Sequence, residues 1–167
     1  MAREEKTGKS DAELRERVWE LAEDIRYCTL VSWNGHKQHA RPMDARIDSD
    51  SGTIWFLTDV NGVKDDEIER FPVVTVVFAN PSKFKFVTMS GKAAISNDRA
   101  KIRELWEKAD EAWWDSADDP DIRLVTFLPD EAELWDSPNV LDSTALMLSA
   151  AVTGAKPKVG DNAKVSL

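Results

Sequence analysis

Residues 54–64 read Ile54-Trp55-Phe56-Leu57-Thr58-Asp59-Val60-Asn61-Gly62-Val63-Lys64. An apolar strand, Ile54 to Leu57, runs into a hydroxyl at Thr58. Asn61-Gly62 then marks a turn. Lys64 opens an amphipathic segment whose apolar positions are Val63, Ile68 and Phe71. A strand end, a turn and a new helix start, carrying a hydroxyl and a cation, make a place for a phosphate. Free backbone N–H groups point at the anion there, and lysine adds a point charge. Two further cations, Arg41 and Arg46, stand on the strand-like run that precedes this one.

Working outward toward the N-terminus, Ser10 has the position of a helix N-cap, with Glu13 three residues on as in a capping box. Leu14, Val18, Leu21 and Ile25 recur at helical spacing, so a helix is expected over 11–26. Tyr27 to Trp33 is β-rich. Asn34-Gly35 signals a hairpin into a returning strand, His39 to Ile47, in which Pro42 points to an edge or a bulge. Asp50-Ser51-Gly52 turns into Thr53–Thr58.

Working outward toward the C-terminus, a short helix is expected from about 63 to 70. Asp65, Asp66 and Glu67 in its first turn complement the dipole. Val73 to Ala79 is a near-continuous apolar run, expected as a strand buried on both faces. Phe84 to Ile95 is a long strand in which Gly91 marks a bulge or a close approach. Asn97 or Asp98 caps a second helix with Ile102, Leu105, Trp106, Ala109 and Trp113 on one stripe. Strands are expected over Ile122–Leu128, Glu131–Trp135 and Thr144–Val152, and residues 154–167 as an irregular tail. Hairpin signals and close strand spacing imply antiparallel pairing. The fold class is mainly β: a small antiparallel β-barrel with flanking helices. The chain divides into a flexible arm (1–9), one domain (10–152) and a tail (153–167).

Composition narrows the function classes. The 167 residues suit a single domain, and 42% of them are hydrophobic. The net charge of −9 and a pI near 4.8 argue against nucleic acid and against an anionic membrane surface. One cysteine, Cys28, builds neither a disulfide framework nor a zinc cluster; in a β-rich run it reads as packing. His36 and His39 are three apart on an extended segment and face opposite sides, so no metal site is expected. The polar N-terminus and the lack of a spanning apolar run set the expected compartment as cytoplasmic. Seven tryptophans suit core and interface packing, with Trp113, Trp114 and Trp135 as residues that could stack on a bound ring. No nucleophile-elbow pattern is present.

Four motifs in order carry a family resemblance: Arg41-Pro42-Met43; the run from Ile54 to Asp59 followed by Lys64 and Glu67-Ile68; Val87 to Ala93 (VTMSGKA); and Ala132 to Asp136 after the pair Trp113-Trp114. Together they span most of residues 10–140. In this the chain resembles the FMN-binding split-barrel family of pyridoxamine 5′-phosphate oxidase, and within it the general stress protein 26-like flavoproteins. The resemblance implies a split barrel, FMN as cofactor, and a homodimer with the flavin at the subunit interface. It implies that Arg41, Thr58 and Lys64 grip the FMN phosphate, with Arg46 a further member. Pro42, Met43 and Leu57, on the strands 41–46 and 55–58, would border the ring and the ribityl chain. His39 precedes Arg41 on the same strand and could border the flavin too.

The chain departs from the oxidase branch. Gly62 and Val63 replace a serine and an arginine before the lysine, Phe86 replaces a glutamine, and the C-terminal arginine–histidine pair has no counterpart. These departures argue against pyridoxine phosphate oxidation. The expectation is an FMN-dependent oxidoreductase of unassigned substrate. Its rivals are a non-catalytic flavin-binding or redox-sensing stress protein, the same fold holding a deazaflavin or haem, and a structural dimer with an empty or vestigial site.

Overall fold

The structure is a computed structural model and describes residues 9–60, 65–137 and 161–167. Helix α1 (Asp11–Ile25) starts on a full capping box: Ser10 Oγ accepts from the Glu13 N–H and the Glu13 carboxylate accepts from the Ser10 N–H. Strands β1 (Tyr27–Trp33) and β2 (Gln38–Asp44) form the expected hairpin. Its loop is longer than the two residues that Asn34-Gly35 alone would make: the Asn34 side chain accepts from the N–H groups of His36 and Lys37. Gly35 sits at φ +94°, where a side chain would be strained. The returning strand breaks at Ala45 and resumes as β3 (Arg46–Asp48), which pairs with β4 (Thr53–Asp59).

A short helix α2 (Asp65–Arg70) leads into β5 (Val73–Asn80), and a 3-10 turn (Pro81–Lys83) leads into β6 (Lys85–Ser96). After α3 (Arg99–Leu105) and a 3-10 turn (Lys108–Ala112), the long β7 (Ile122–Asp136) crosses the whole sheet, and β8 (Asp161–Ser166) closes the described chain. Every pairing is antiparallel, in the order β2-β1-β5-β6-β7-β4-β3, with β8 on β7 beside the upper half of that strand. The sheet curls into a split β-barrel around Leu30, Phe56, Val76, Phe78, Met89, Phe127 and Leu134. Helix α1 plugs its inner face with Leu14, Val18, Leu21 and Ala22. Cys28 lies in this wall, and burial, with the nearby Asp44 charge, pushes its thiol up to about 12.

Four expectations change. The two strands expected over 122–135 are one, because Pro129 and Asp130 are taken up as a bulge opposite Ser90-Gly91. The helix after Asp98 stops at Leu105, and Trp113, expected on its apolar stripe, is 80% exposed. The tail is not irregular throughout: Asp161–Ser166 pairs with β7, and Val165 enters the core. On β5, Val74, Val76 and Phe78 are buried while Val73, Thr75, Val77 and Ala79 are only partly covered or exposed, so one chain buries a single face of that strand. The strand expected over Thr144–Val152 lies outside the described residues.

Candidate functional site

Arg41 stands opposite Leu30, and His39 opposite Ser32. Directly opposed residues share a face, so Arg41 and His39 lie with Leu30 and Ser32 on the inner side of the β1–β2 ribbon. Helix α2 packs across that end and brings Glu67, whose side chain is 3% exposed. A buried carboxylate needs donors, and three converge. Ser32 Oγ donates to Glu67 Oε1 at 2.5 Å. Arg41 Nη2 donates to Ser32 Oγ at 3.1 Å and to Glu67 Oε1 at 3.4 Å. His39 Nδ1 lies 3.2 Å from Glu67 Oε2, while its Nε2 lies 3.4 Å from the Asn34 amide nitrogen. Burial pushes the Glu67 carboxyl up, but the hydrogen bonds from Ser32 and His39 and the charge of Arg41 outweigh it and hold it below the usual range.

This cluster is no nucleophile relay. The imidazole contacts the Glu67 carboxylate and not the Ser32 hydroxyl, so the serine–histidine contact of a hydrolytic triad is absent. What the cluster does is fix a cation. Only Nη2 of Arg41 is engaged among the described residues, and the side chain is 19% exposed. Its remaining N–H edge suits an oxyanion, which a guanidinium binds in a planar fork. Thr58, the last but one residue of β4, is on the inward row of Ile54 and Phe56. Lys64 lies outside the described residues; in the chain it directly precedes α2, the helix that carries Glu67. Thr58 and α2 thus flank the segment that includes Lys64, and Arg41 is tied to α2 through Glu67. Helix α2 has only six residues, so side chains rather than an extended dipole must supply most of any grip there.

The structure does not bring Arg46 to this place. Arg46 stands opposite Trp55 on the other face of the chain, buried against α3. Its Nη1 meets Asp44 at 2.6 Å and its Nη2 meets both Asp110 oxygens at 2.8 and 3.0 Å. Its Nε donates to the Leu105 carbonyl at 3.3 Å. Arg26 adds bonds to Asp44 and Glu107, each at 2.6 Å. Arg46 with Trp55, Lys101 and Trp106 lines a cavity of about 470 Å³ between α1, β3 and α3. The other predicted residues divide by face. Pro42 faces outward opposite Thr29, Met43 packs inward on the core, and Leu57 packs beneath α3 with Leu124, near the tilted Trp106–Trp114 pair. His36 is exposed in the hairpin loop, and no metal-binding cluster of His, Cys, Asp or Glu forms among the described residues.

Sequence reasoning missed Ser32 and assigned Glu67 to the helix dipole. A signal was available for the serine: Cys28, Leu30 and Ser32 alternate onto the buried face, so a hydroxyl there needs a partner inside.

Comparison with known proteins agrees with this architecture. Residues 13–158 match the family described as pyridoxamine 5′-phosphate oxidase like. General stress protein 26 of Bacillus subtilis (strain 168) is 24% identical over 128 residues, which are 75% of this chain and 90% of that protein. The crystal structure of a general stress protein 26 homologue from Jannaschia sp. CCS1 superposes with a TM-score of 0.76 at 25% identity, covering 95% of this chain and all of that one. That of the general stress FMN/FAD binding protein from Xanthomonas citri gives 0.66 at 28% identity, over 74% of this chain and 89% of that one. The chain therefore belongs to the pyridoxamine 5′-phosphate oxidase like family, in its general stress protein 26-like branch.

Proposed function

We propose that this chain binds FMN as a homodimer, the flavin phosphate being held by Arg41, Thr58 and Lys64, and that it serves as a flavin-dependent oxidoreductase. The observation that carries the reading is the placement of Arg41: a strand cation locked against α2, the helix that Lys64 introduces, with one guanidinium edge left for an anion. A relative of the same fold from Xanthomonas citri is an FMN/FAD binding protein, which supports the cofactor class. Arg46 is assigned to the scaffold, because carboxylates and a carbonyl already take up its guanidinium.

Bound FMN would supply the electron and hydride chemistry, and the protein would supply phosphate grip, ring orientation and control of access. Pro42, on the outward face of β2, is the predicted border residue best placed for a ligand lying between two copies. Pyridoxine phosphate is not proposed as substrate, since the arginine–histidine pair that the oxidase branch uses has no counterpart here.

The test is the spectrum of the purified protein with mass spectrometry of the released ligand. Flavin absorbance and the mass of FMN are expected; a deazaflavin or haem mass would reassign the cofactor, and no ligand together with no FMN uptake would overturn the reading. Arg41→Ala with Lys64→Ala removes two charged contacts to one phosphate and should weaken FMN on the order of a hundredfold. Stopped-flow reduction by NADH or NADPH then separates a reductase from a protein that only holds the flavin.

A further inference from the structure

We infer that Glu67, clamped by Ser32 and His39, is a positioning residue for ligand phosphate, acting through Arg41. The inference rests on the flavin-phosphate reading above and goes beyond it, since none of the three residues belongs to the predicted grip. The carboxylate cannot itself touch a phosphate with profit, because both groups are anionic. It is nearly sealed from solvent and accepts from three side chains on two different strands. An exposed arginine stem samples many rotamers and loses that freedom when it binds. Arg41 has lost part of it beforehand: Nη2 is held by Ser32 at 3.1 Å and Glu67 at 3.4 Å, which anchors one end of the guanidinium and leaves the opposite edge to the ligand. A guanidinium set in advance gives its charge-assisted hydrogen bonds at smaller entropic cost.

Glu67 also puts a negative charge near the anion, so the two effects oppose each other and can be separated. Glu67→Gln keeps the acceptor for Ser32 and Arg41, and its amide can donate to His39, but the charge is gone. Glu67→Ala removes both the hold and the charge. Positioning predicts that Ala loses FMN affinity while Gln retains most of it.

The experiment titrates the full chain with FMN and with riboflavin, which lacks the phosphate, and reads the ratio of the two affinities. Glu67→Ala should lower that ratio about tenfold, roughly one charged hydrogen bond's worth. Adding Arg41→Ala to it should lower the ratio little further, because the two act as a unit. Ser32→Ala, which removes a hydroxyl that both Glu67 and Arg41 use, should give a loss in the same direction; it tests the inference even if Glu67→Ala does not fold, as a thermal melt will reveal. A merely structural role would weaken both ligands alike and leave the ratio unchanged, which overturns the inference. Tighter FMN binding in both Glu67 variants makes Glu67 a competitor of the phosphate and overturns it equally. If Arg41→Ala alone leaves the ratio at its wild-type value, the phosphate reading fails and the positioning role falls with it. If Arg41→Ala lowers the ratio and the Glu67 and Ser32 variants do not, only the positioning role fails.

Discussion

At the scale of single residues, charge and burial are matched by pairing rather than by exposure. Asp136, at the end of β7, is 11% exposed and takes Arg17 Nε at 2.6 Å, with Lys85 on its other oxygen. Burial pushes its carboxyl up, but Arg17 and Lys85 outweigh this and hold it below the usual range. Asp44, between Arg26 and Arg46, and Glu67 are held down in the same way. The consequence for stability has a definite sign. A carboxylate whose folded value lies below its unfolded value, about 4, adds stability at higher pH. That contribution is lost as the pH falls through the folded value, where the unfolded chain binds more protons. Melting temperature should therefore hold steady down to about pH 5 and fall below pH 4. Asp136→Asn should lower stability at neutral pH by about 1–3 kcal/mol and flatten the acid slope. An unchanged slope would show that Asp136 does not carry the acid response. Residues of this kind are only half legible in a sequence. Arg41 could be picked out because it is a cation on a strand beside a turn. Its partners could not, because Ser32 and Glu67 are 35 positions apart and only the fold brings them within 2.5 Å.

At the scale of elements, hydrophobic periodicity and turn residues located α1, the β1–β2 hairpin, β4, β5 and β6 with small errors at their ends. These elements are set by local pattern, although the pattern of β5 suggests two buried faces where one is found and the strand after the hairpin breaks at Ala45. The misses share a different cause, which is pairing over long range. Strand β8 offers one large apolar side chain, Val165, and becomes a strand because β7 presents an open edge to it. Pro129 suggested a break in β7, yet a bulge absorbs it and the strand continues. Gly91 is the other half of that bulge. A Cβ there would lie 2.2 Å from the Leu128 carbonyl oxygen and 2.6 Å from Pro129 Cα, both backbone atoms. Gly91→Ala should therefore force β6 and β7 apart at the bulge that interrupts their long ladder. The expected cost is at least about 3 kcal/mol, at the upper end of overpacking effects, visible in a chemical denaturation midpoint. A near-neutral substitution would mean that the bulge can open without loss of pairing.

At the scale of the whole molecule, the outer face of the sheet holds the remaining argument for a second copy. Register places Pro42, Thr29, Val77, Thr88, Glu133 and Lys164 in one row across six strands. The next row toward one end carries Ala79, Phe86 and Trp135, and Tyr27, at 68% exposure, continues it on β1. Trp33, Val73 and Leu128 stand exposed toward the other end. On β1, β5 and β6 the middle of this face bears small β-branched and hydroxyl side chains, with the charged Glu133 and Lys164 beyond them on β7 and β8 and an aromatic margin; the sequence of β5 reads as buried on both sides. Among the described residues, one chain buries only its inner side. A face of this composition fits a partner sheet packed against it, which would complete the burial that the sequence of β5 encodes. Val77→Glu, at the centre of the row, is the decisive substitution. Its side chain is only partly covered within one chain, so the fold should survive, with circular dichroism unchanged. Across a two-fold interface the new carboxylate would be desolvated and set against its own copy. If the proposed dimer forms through this face, light scattering should give a dimer for the wild-type chain and a monomer for Val77→Glu, and bound FMN should be released along with the partner. A Val77→Glu protein that stays dimeric and yellow would move the interface, and with it the flavin, to another face of the barrel.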